Sequence, residues 1–376
     1  MGKHLTVALP DPERIQIFQD RFAFAPDGSW PTPYEDLERK WKVDRFQLRT
    51  IMIDVLKRGL VRITPADEVR KSVRFPDLER PLERVFHVSM AAVIEATPPP
   101  GTGPGEANDF IHEHLGRGAG EILSHGLCRP HDHIAIGPGR STYHAANYLA
   151  TLPPIGLPGI ELVSLSGSYQ PKSHATHPNL SLDADRNMYE MAPWFDPEKV
   201  TTHEAAHRLV CKSVQEARKA RELGSLSKSL WKVPPSLAIV GVGVLRPGHR
   251  MHDAVEEPAF RPIRPELRRL IDLCNTHSTA TYCPVLDVAS RLHAIPSEGR
   301  KALQPKAYRE IERLVATIND RTIAVTTDQL KQIRSIFLIA GTRQKTAAIR
   351  YLLTEYPVAY LCTDPETARA LASSHS

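Results

Sequence analysis

The sequence predicts an α/β chain in two parts, a small helical N-terminal module and a larger body on a mostly parallel sheet. Three observations predict it. Apolar residues recur at helical spacing three times within the first 60 residues. Beyond residue 105 short apolar runs alternate with helical patterns, as in sheets whose strands are joined by crossover helices. A basic surplus is confined to the N-terminal module: residues 39–62 hold eight basic side chains against Asp44 and Asp54, a surplus larger than the formal +5 of the whole chain. With 41% hydrophobic and 24% charged residues among 376, disordered and collagen-like classes are excluded.

Residues 12–22 place Ile15, Ile17, Phe18 and Phe22 on one helical face, and a Pro-, Gly- and Asp-rich break over 26–33 ends that element. Residues 34–41 read as a second helix. Asp44 is placed to cap a third, whose Leu48, Ile51, Met52 and Val55 form one stripe before Gly59 stops it. Residues 60–63 alternate apolar and basic like an edge strand, completing the outline of a winged helix-turn-helix. Residues 78–86 read as helical, and TPPPGTGPG at 97–105 as a loop or linker. The runs 134–136, 160–166, 237–244, 284–288, 322–325, 335–340 and 358–362 read as strands, with helices such as 346–353 between them. Several are apolar throughout, which a parallel sheet covered on both faces requires. The expected division is 1–66 and 67–376.

The five cysteines are odd in number, far apart and without a CxxC pair, so a disulfide framework and a zinc ribbon are not expected, and a reducing cytoplasm is. No run approaches 18 apolar residues, and the N-terminus lacks the basic-then-apolar pattern of a signal peptide, so no membrane partner is expected.

In the basic module, Arg45, Gln47 and Arg49 fall opposite the apolar stripe of the third helix. Arg pairs with guanine edges and Gln with adenine, and the first turn of a recognition helix makes such contacts. The residues alone fit a solvated basic helix equally well. Lys42 stands in the turn where a helix-turn-helix usually has glycine. Further on, Ile134 to Thr142 (IAIGPGRST) is a strand, a glycine turn and a helix start. Gly137 and Gly139 allow an anion to approach the helix N-terminus, and Arg140, Ser141 and Thr142 could complete a phosphate or polyol cradle. It is not a dinucleotide fingerprint: Thr142 replaces the third glycine, Pro138 lacks a donor, and Glu161 opens the next strand instead of closing it. No cofactor is expected. After the run 335–340, Gly341-Thr342-Arg343-Gln344-Lys345 puts Lys345 in the first turn of a helix at the carboxyl edge of the sheet. Thr363-Asp364-Pro365-Glu366 resembles a capping box.

His203-Glu204-Ala205-Ala206-His207 matches HExxH in a stretch read as helical, the arrangement of a zinc peptidase, but Arg208 follows the second His and the extended signature is missing. The pairs His112/His114 and His131/His133 read as satisfied or surface histidines. No metal site and no catalytic residue is assigned.

Taken together the residues resemble the SorC family of bacterial sugar-responsive transcriptional regulators over nearly the full length. The similarity is strongest in RTIAVTTDQLKQIRSIFLIAGTRQKTAAIRYLLTEYPVAYLCTDPETARALA, and extends to AIGPGRST and VSLSGS. CPVLDVASRLHAI keeps Asp287 of a family motif whose glycine and phenylalanines are absent. The resemblance implies a helix-turn-helix that binds double-stranded operator DNA through Lys42, Arg45, Gln47 and Arg49. It also implies a Rossmann-like effector domain of the ribose-phosphate isomerase and glucosamine-phosphate deaminase type, binding a sugar or sugar phosphate and assembling as a homodimer or homotetramer. By position, Gly137, Gly139, Ser141 and Thr142 would hold the phosphate or hydroxyls, Gly167 and Ser168 would line the pocket, and Lys345 would pair with the anion. The expected function is a cytoplasmic DNA-binding regulator and not an enzyme. Its rivals are a sugar-phosphate isomerase or deaminase on the same fold and the zinc peptidase.

Overall fold

The computed structural model describes residues 10–21, 34–57, 72–168, 183–196, 199–295 and 303–373. Two compact units are present, Met1–Arg70 and Lys71–Ser376.

In the first unit, α1 (Asp11–Arg21), α2 (Tyr34–Trp41) and α3 (Arg45–Lys57) enclose a core of Ile17, Phe18, Leu37, Val43, Leu48, Ile51, Met52 and Val55. All four residues of the expected α3 stripe are in it. Asp44 and Gln47 close a reciprocal cap: the Gln47 N–H donates to Asp44 Oδ1 at 2.8 Å, and the Asp44 N–H donates to Gln47 Oε1 at 3.1 Å. Lys42 has a φ of 52°, the left-handed conformation that glycine usually supplies in this turn. The expected wing strand at 60–63 lies outside the described residues.

The second unit begins with α4 (Pro76–Phe86) and β1 (Met90–Val93), followed by α5 (Pro104–Ser124), β2 (His133–Ile136), α6 (Arg140–Ala150) and β3 (Glu161–Ser164). Next come α7 (Ala184–Met191), β4 (Thr201–His203), α8 (Val214–Leu223), β5 (Leu237–Val244) and α9 (Arg264–His277). The chain closes with β6 (Val285–Val288), β7 (Arg291–Ala294), α10 (Pro305–Arg321), α11 (Thr327–Gln332), β8 (Ile336–Ile339), α12 (Thr346–Glu355), β9 (Val358–Thr363) and α13 (Pro365–Ala372). The strands run β1-β9-β8-β5-β2-β3-β4 with every neighbouring pair parallel. Successive residues alternate between two cores: Ala135, Ala238 and Leu338 enter one, while Ile134, Ile136, Ile239, Phe337 and Ile339 enter the other. Both faces are covered, which is why these strands read as continuous apolar runs. No described helix is long and apolar enough to cross a membrane.

Several local expectations are corrected. The run 284–288 belongs to an antiparallel hairpin, β6 pairing with β5 and β7, and not to the parallel sheet. Residues 322–325 make two isolated bridges, Val210↔Thr322 and Ser166↔Ala324, instead of a strand. The linker read over 97–105 ends at Gly103, because Pro104 opens α5 as a helix-compatible first residue, and the sheet has already begun with β1 before it. The cap of α13 is Asp364 rather than Thr363, and its partner is Thr367 rather than Glu366. HEAAH is not helical: His203 ends β4, and the Ala205 carbonyl lies where a Cβ on Gly224 would be 1.6 Å away. His207 is 97% exposed and His203 faces Glu161, so the two imidazoles share no helix face. That removes the zinc-peptidase geometry.

Candidate functional site

The strand order reverses between β2 and β5, where the chain turns outward to β3 and β4 on one side and to β8 and β9 on the other. Ligands of open α/β sheets bind at the carboxyl ends of strands flanking such a reversal. The IAIGPGRST segment sits there. The Gly137 N–H donates to Ile239 O of β5 at 2.9 Å, and a Cβ on Gly137 would meet Val240 Cγ1 at 3.1 Å, so the turn is pressed against β5. Gly139 has a φ of 119°, a conformation that suits glycine, and from it α6 starts. Asn187 of α7 braces the turn, donating from Nδ2 to Gly137 O at 2.9 Å and Gly139 O at 3.3 Å. No described side chain caps α6, so its first N–H groups lack intrahelical partners, as at any helix start. Thr142 is fully buried, and its Oγ1 has no hydrogen-bond partner among the described residues.

Helix α5 lies against α6 along Gly116 and Gly120. A Cβ on Gly116 would come 2.4 Å from His144 Cβ and 2.6 Å from Ser141 O, and one on Gly120 would come 2.6 Å from Tyr148 Cδ1. One turn before Gly116 on the same face is His112, whose Nδ1 lies 2.7 Å from Ser141 Oγ. Its Nε2 lies 3.5 Å from Lys345 Nζ. With Nζ donating to Nε2, Nδ1 carries the imidazole proton and donates to Ser141. Lys345 is only 2% exposed. Burial, and then Arg140, pull its amine down to about 7, against the Asp364 carboxylate. His112 is held well below its ordinary range by burial, then by Lys345, Arg140, His249 and His144. His249 is held low by burial, then by Lys345 and Arg140, against a hydrogen bond with Gln344. Arg140 pairs with Asp109 and donates to Gly248 O at 3.0 Å. Although Ser141 and His112 touch, the cation beyond the imidazole opposes the imidazolium that a general base must become. In this arrangement His112 does not activate Ser141 as a nucleophile.

Thr342, after β8, has a φ of 80°, and its N–H donates to Asp364 Oδ2 at 2.7 Å. A Cβ on Gly341 would be 2.4 Å from that oxygen, so glycine is required for the approach.

Arg140, Ser141, Thr142 and Lys345 are therefore gathered at one edge with the glycines of the first turn. Gly167 and Ser168 are engaged elsewhere: the Gly167 N–H donates to Ile323 O at 2.8 Å, the Ser168 N–H donates to Ala206 O at 2.8 Å, and the Ser168 hydroxyl donates to Asp185. Burial raises the Asp185 carboxyl above its usual range. Asp287 stands opposite Gly243 in the β5–β6 pair. His249, Asn187, Asp109 and Asp364 join these residues in space, as does His112, which the sequence reads as a satisfied or surface histidine; of the other four only Asp364 leaves a local signal, inside the stretch that reads as a capping box.

In the first unit, Arg45 pairs with Glu35 and lies 5.3 Å from the Tyr34 ring centroid, while Lys42 is exposed. Gln47 is committed to the cap, which limits its reach. Of Arg49 only the backbone is described.

The family model described as "Putative sugar-binding domain" matches residues 312–373, the span from α10 to the end of α13 that contains Lys345. Among solved structures, the full-length sorbitol operon regulator SorC from Klebsiella pneumoniae superposes with a TM-score of 0.55 at 17% identity, covering 96% of this chain and 99% of that one. The fold is that of the SorC-type regulators. The sugar-binding domain of a transcriptional repressor from Vibrio fischeri gives a TM-score of 0.57 at 15% identity, covering 80% of this chain and 99% of that one. A DeoR family transcriptional regulator from Listeria monocytogenes gives 0.55 at 18% identity, over 79% and 98%. No curated protein matches the chain. The SorC resemblance read from AIGPGRST and the C-terminal stretch thus agrees with the family model and with the shared fold.

Proposed function

We propose that this chain is a DNA-binding transcriptional regulator whose operator affinity is set by a small sugar or sugar phosphate. The observation that carries this reading is the gathering of the Gly137–Gly139 turn, Ser141, Thr142, Arg140 and Lys345 at the reversal of a parallel sheet, in a chain with a basic three-helix unit before it. The SorC-type fold supports it, as does the similarity to solved transcriptional regulators. The effector binds in residues 67–376, with Gly137, Gly139, Arg140, Ser141, Thr142 and Lys345 as its primary contacts and Gly167, Ser168 and Asp287 as outer ones. Residues 1–66 read operator DNA through Lys42, Arg45 and Arg49, with Gln47 in support. The chain acts as a homodimer or homotetramer: a ligand that favours one arrangement of the effector domains changes the spacing of paired DNA-binding units and so their fit to two half-sites. Five buried, unbridged cysteines suit a reducing cytoplasm.

A thermal-shift screen of sugar phosphates and polyols, followed by operator-binding titrations with each hit, tests the reading. A stabilising ligand that changes operator affinity is expected. Ligands that stabilise the chain without moving operator affinity would refute the regulatory coupling. Lys345→Ala is expected to abolish the response to a phosphorylated effector and to leave basal operator binding unchanged.

A further inference from the structure

Three bases converge at the carboxyl edge of the sheet with, among the described residues, no carboxylate between them. Lys345, His112 and His249 are 2%, 6% and 7% exposed. The carboxylates in reach are already engaged. Asp364 accepts from the Thr342 N–H at 2.7 Å, the Thr367 N–H at 2.9 Å and the Thr367 hydroxyl at 2.6 Å, and Asp109 pairs with Arg140. The charge of Arg140 on α6 acts on all three bases, that of Arg246 on His249 and that of His144 on His112, while Asp109 and Glu113 act on His144 in the opposite sense. Buried positive groups are normally paired, because an uncompensated charge loses its hydration without return. Two hydroxyls at the same edge are also unspent: Thr142 Oγ1, fully buried, and Thr342 Oγ1 have no hydrogen-bond partner among the described residues.

Building on the effector-site reading, we propose that His112 and His249 are ligand-binding residues which, with Lys345, form a subsite for a divalent oxyanion such as a phosphoryl group, and that this subsite takes up protons as it fills. Empty, the cluster sheds protons because each charge would be repelled by Arg140 and by its neighbours in a poorly solvated site. A dianion placed between Lys345, the imidazoles and the N-terminus of α6 reverses that balance and restores the protonated forms. The filled state then holds more protons than the empty one, so affinity falls as pH rises above about 7, roughly tenfold per pH unit for each proton taken up. Below about pH 6 the phosphoryl group loses its second charge, and affinity falls again. A neutral sugar offers no charge to repay the protonation, so the subsite selects against it.

Isothermal titration calorimetry of the full chain with inorganic phosphate, and separately with a neutral hexitol, tests this at pH 8.5, where free phosphate is already the dianion, in two buffers of different ionisation enthalpy. Buffer-dependent heat corresponding to uptake of about one proton is expected for phosphate, with affinity about tenfold weaker at pH 9 than at pH 8. His112→Asn and His249→Gln, each checked for an unchanged melting profile, are expected to weaken phosphate at least about tenfold and to reduce the proton uptake. Phosphate binding with no buffer dependence, or with unaltered affinity in both variants, would overturn the proposal and leave the effector-site reading intact. Binding of the hexitol but not of phosphate would overturn it in the same way. If neither compound nor any sugar phosphate of the screen binds, the effector-site reading itself falls.

Discussion

Two turns leave adjacent regions of one sheet edge, and they reach similar ends by opposite means. After β2, glycine occupies the left-handed position, Gly139 at φ 119°, and Asn187 braces the carbonyls from a neighbouring helix. After β8, the left-handed position is Thr342 at φ 80°, held by the Asp364 carboxylate against its N–H. The first turn is relaxed and presents backbone donors and hydroxyls. The second stores strain and presents a buried amine. Non-glycine residues in this region cost about 1–3 kcal/mol and persist where the surroundings over-determine them. The contrast teaches that the glycine-rich turn, more conspicuous in sequence, is the passive half of the site, and the Thr342–Lys345 turn is the costly half.

The comparison breaks most visibly at Gly341. Gly341→Ala would drive its Cβ to 2.4 Å from Asp364 Oδ2 and 2.6 Å from Leu115 Cδ1, and urea unfolding of the full chain is expected to register a loss of about 3 kcal/mol. An unchanged midpoint would mean that the second turn is not tightly held. Asp364→Ala removes the α13 cap together with the Thr342 restraint, for a loss of about 2 kcal/mol in the same measurement. Asn187→Ala tests the relaxed turn and is expected to cost about 1 kcal/mol, because glycine needs no brace to keep its conformation. Thr342→Gly sharpens the contrast by making the second turn like the first, with an expected gain of about 1 kcal/mol; a loss would show that no strain is stored there. Arg45→Ala lies outside both turns. Its ion pair with Glu35 is half exposed, so stability is expected to move by less than about 0.5 kcal/mol, while operator affinity in a mobility-shift titration is expected to fall at least about tenfold.

Most of the parallel sheet was legible, because strands such as Leu237–Val244 and Ile336–Ile339 are buried on both faces and their residues are apolar in succession. β1 was missed because Met-Ala-Ala-Val is short and stands before a Pro-rich loop that looks like a boundary. The run 284–288 reads as a parallel strand, and β7 is not read at all, because the β6–β7 reversal uses Ala289 and Ser290 at positive φ, without the usual turn glycine. HEAAH looked helical from its alanines, yet tertiary contacts win there: Asp185 accepts from the Ala205 N–H at 3.4 Å and Gly224 admits the Ala205 carbonyl. In the candidate site, the turn glycines and Lys345 follow strands, which is why the sequence points to them. His112 reads only as a satisfied or surface histidine, since its contact with Ser141 depends on which residue of α6 crosses α5 at that height, a fact of packing that no spacing in the sequence records.

The glycine seam between α5 and α6 has a consequence for how the site could drift. Where side chains separate two helices, their distance follows whatever residues fill the gap, and a changed methyl group resets it. Here Gly116 meets the α6 backbone directly, so the chain itself is the spacer, and the 2.7 Å reach from His112 to Ser141 is calibrated by main-chain contact. Substitutions elsewhere in the core can alter stability while leaving that calibration alone. The geometry of the candidate site is in this sense insulated from the turnover of the interior, with the seam glycine Gly116 as a position that sets it.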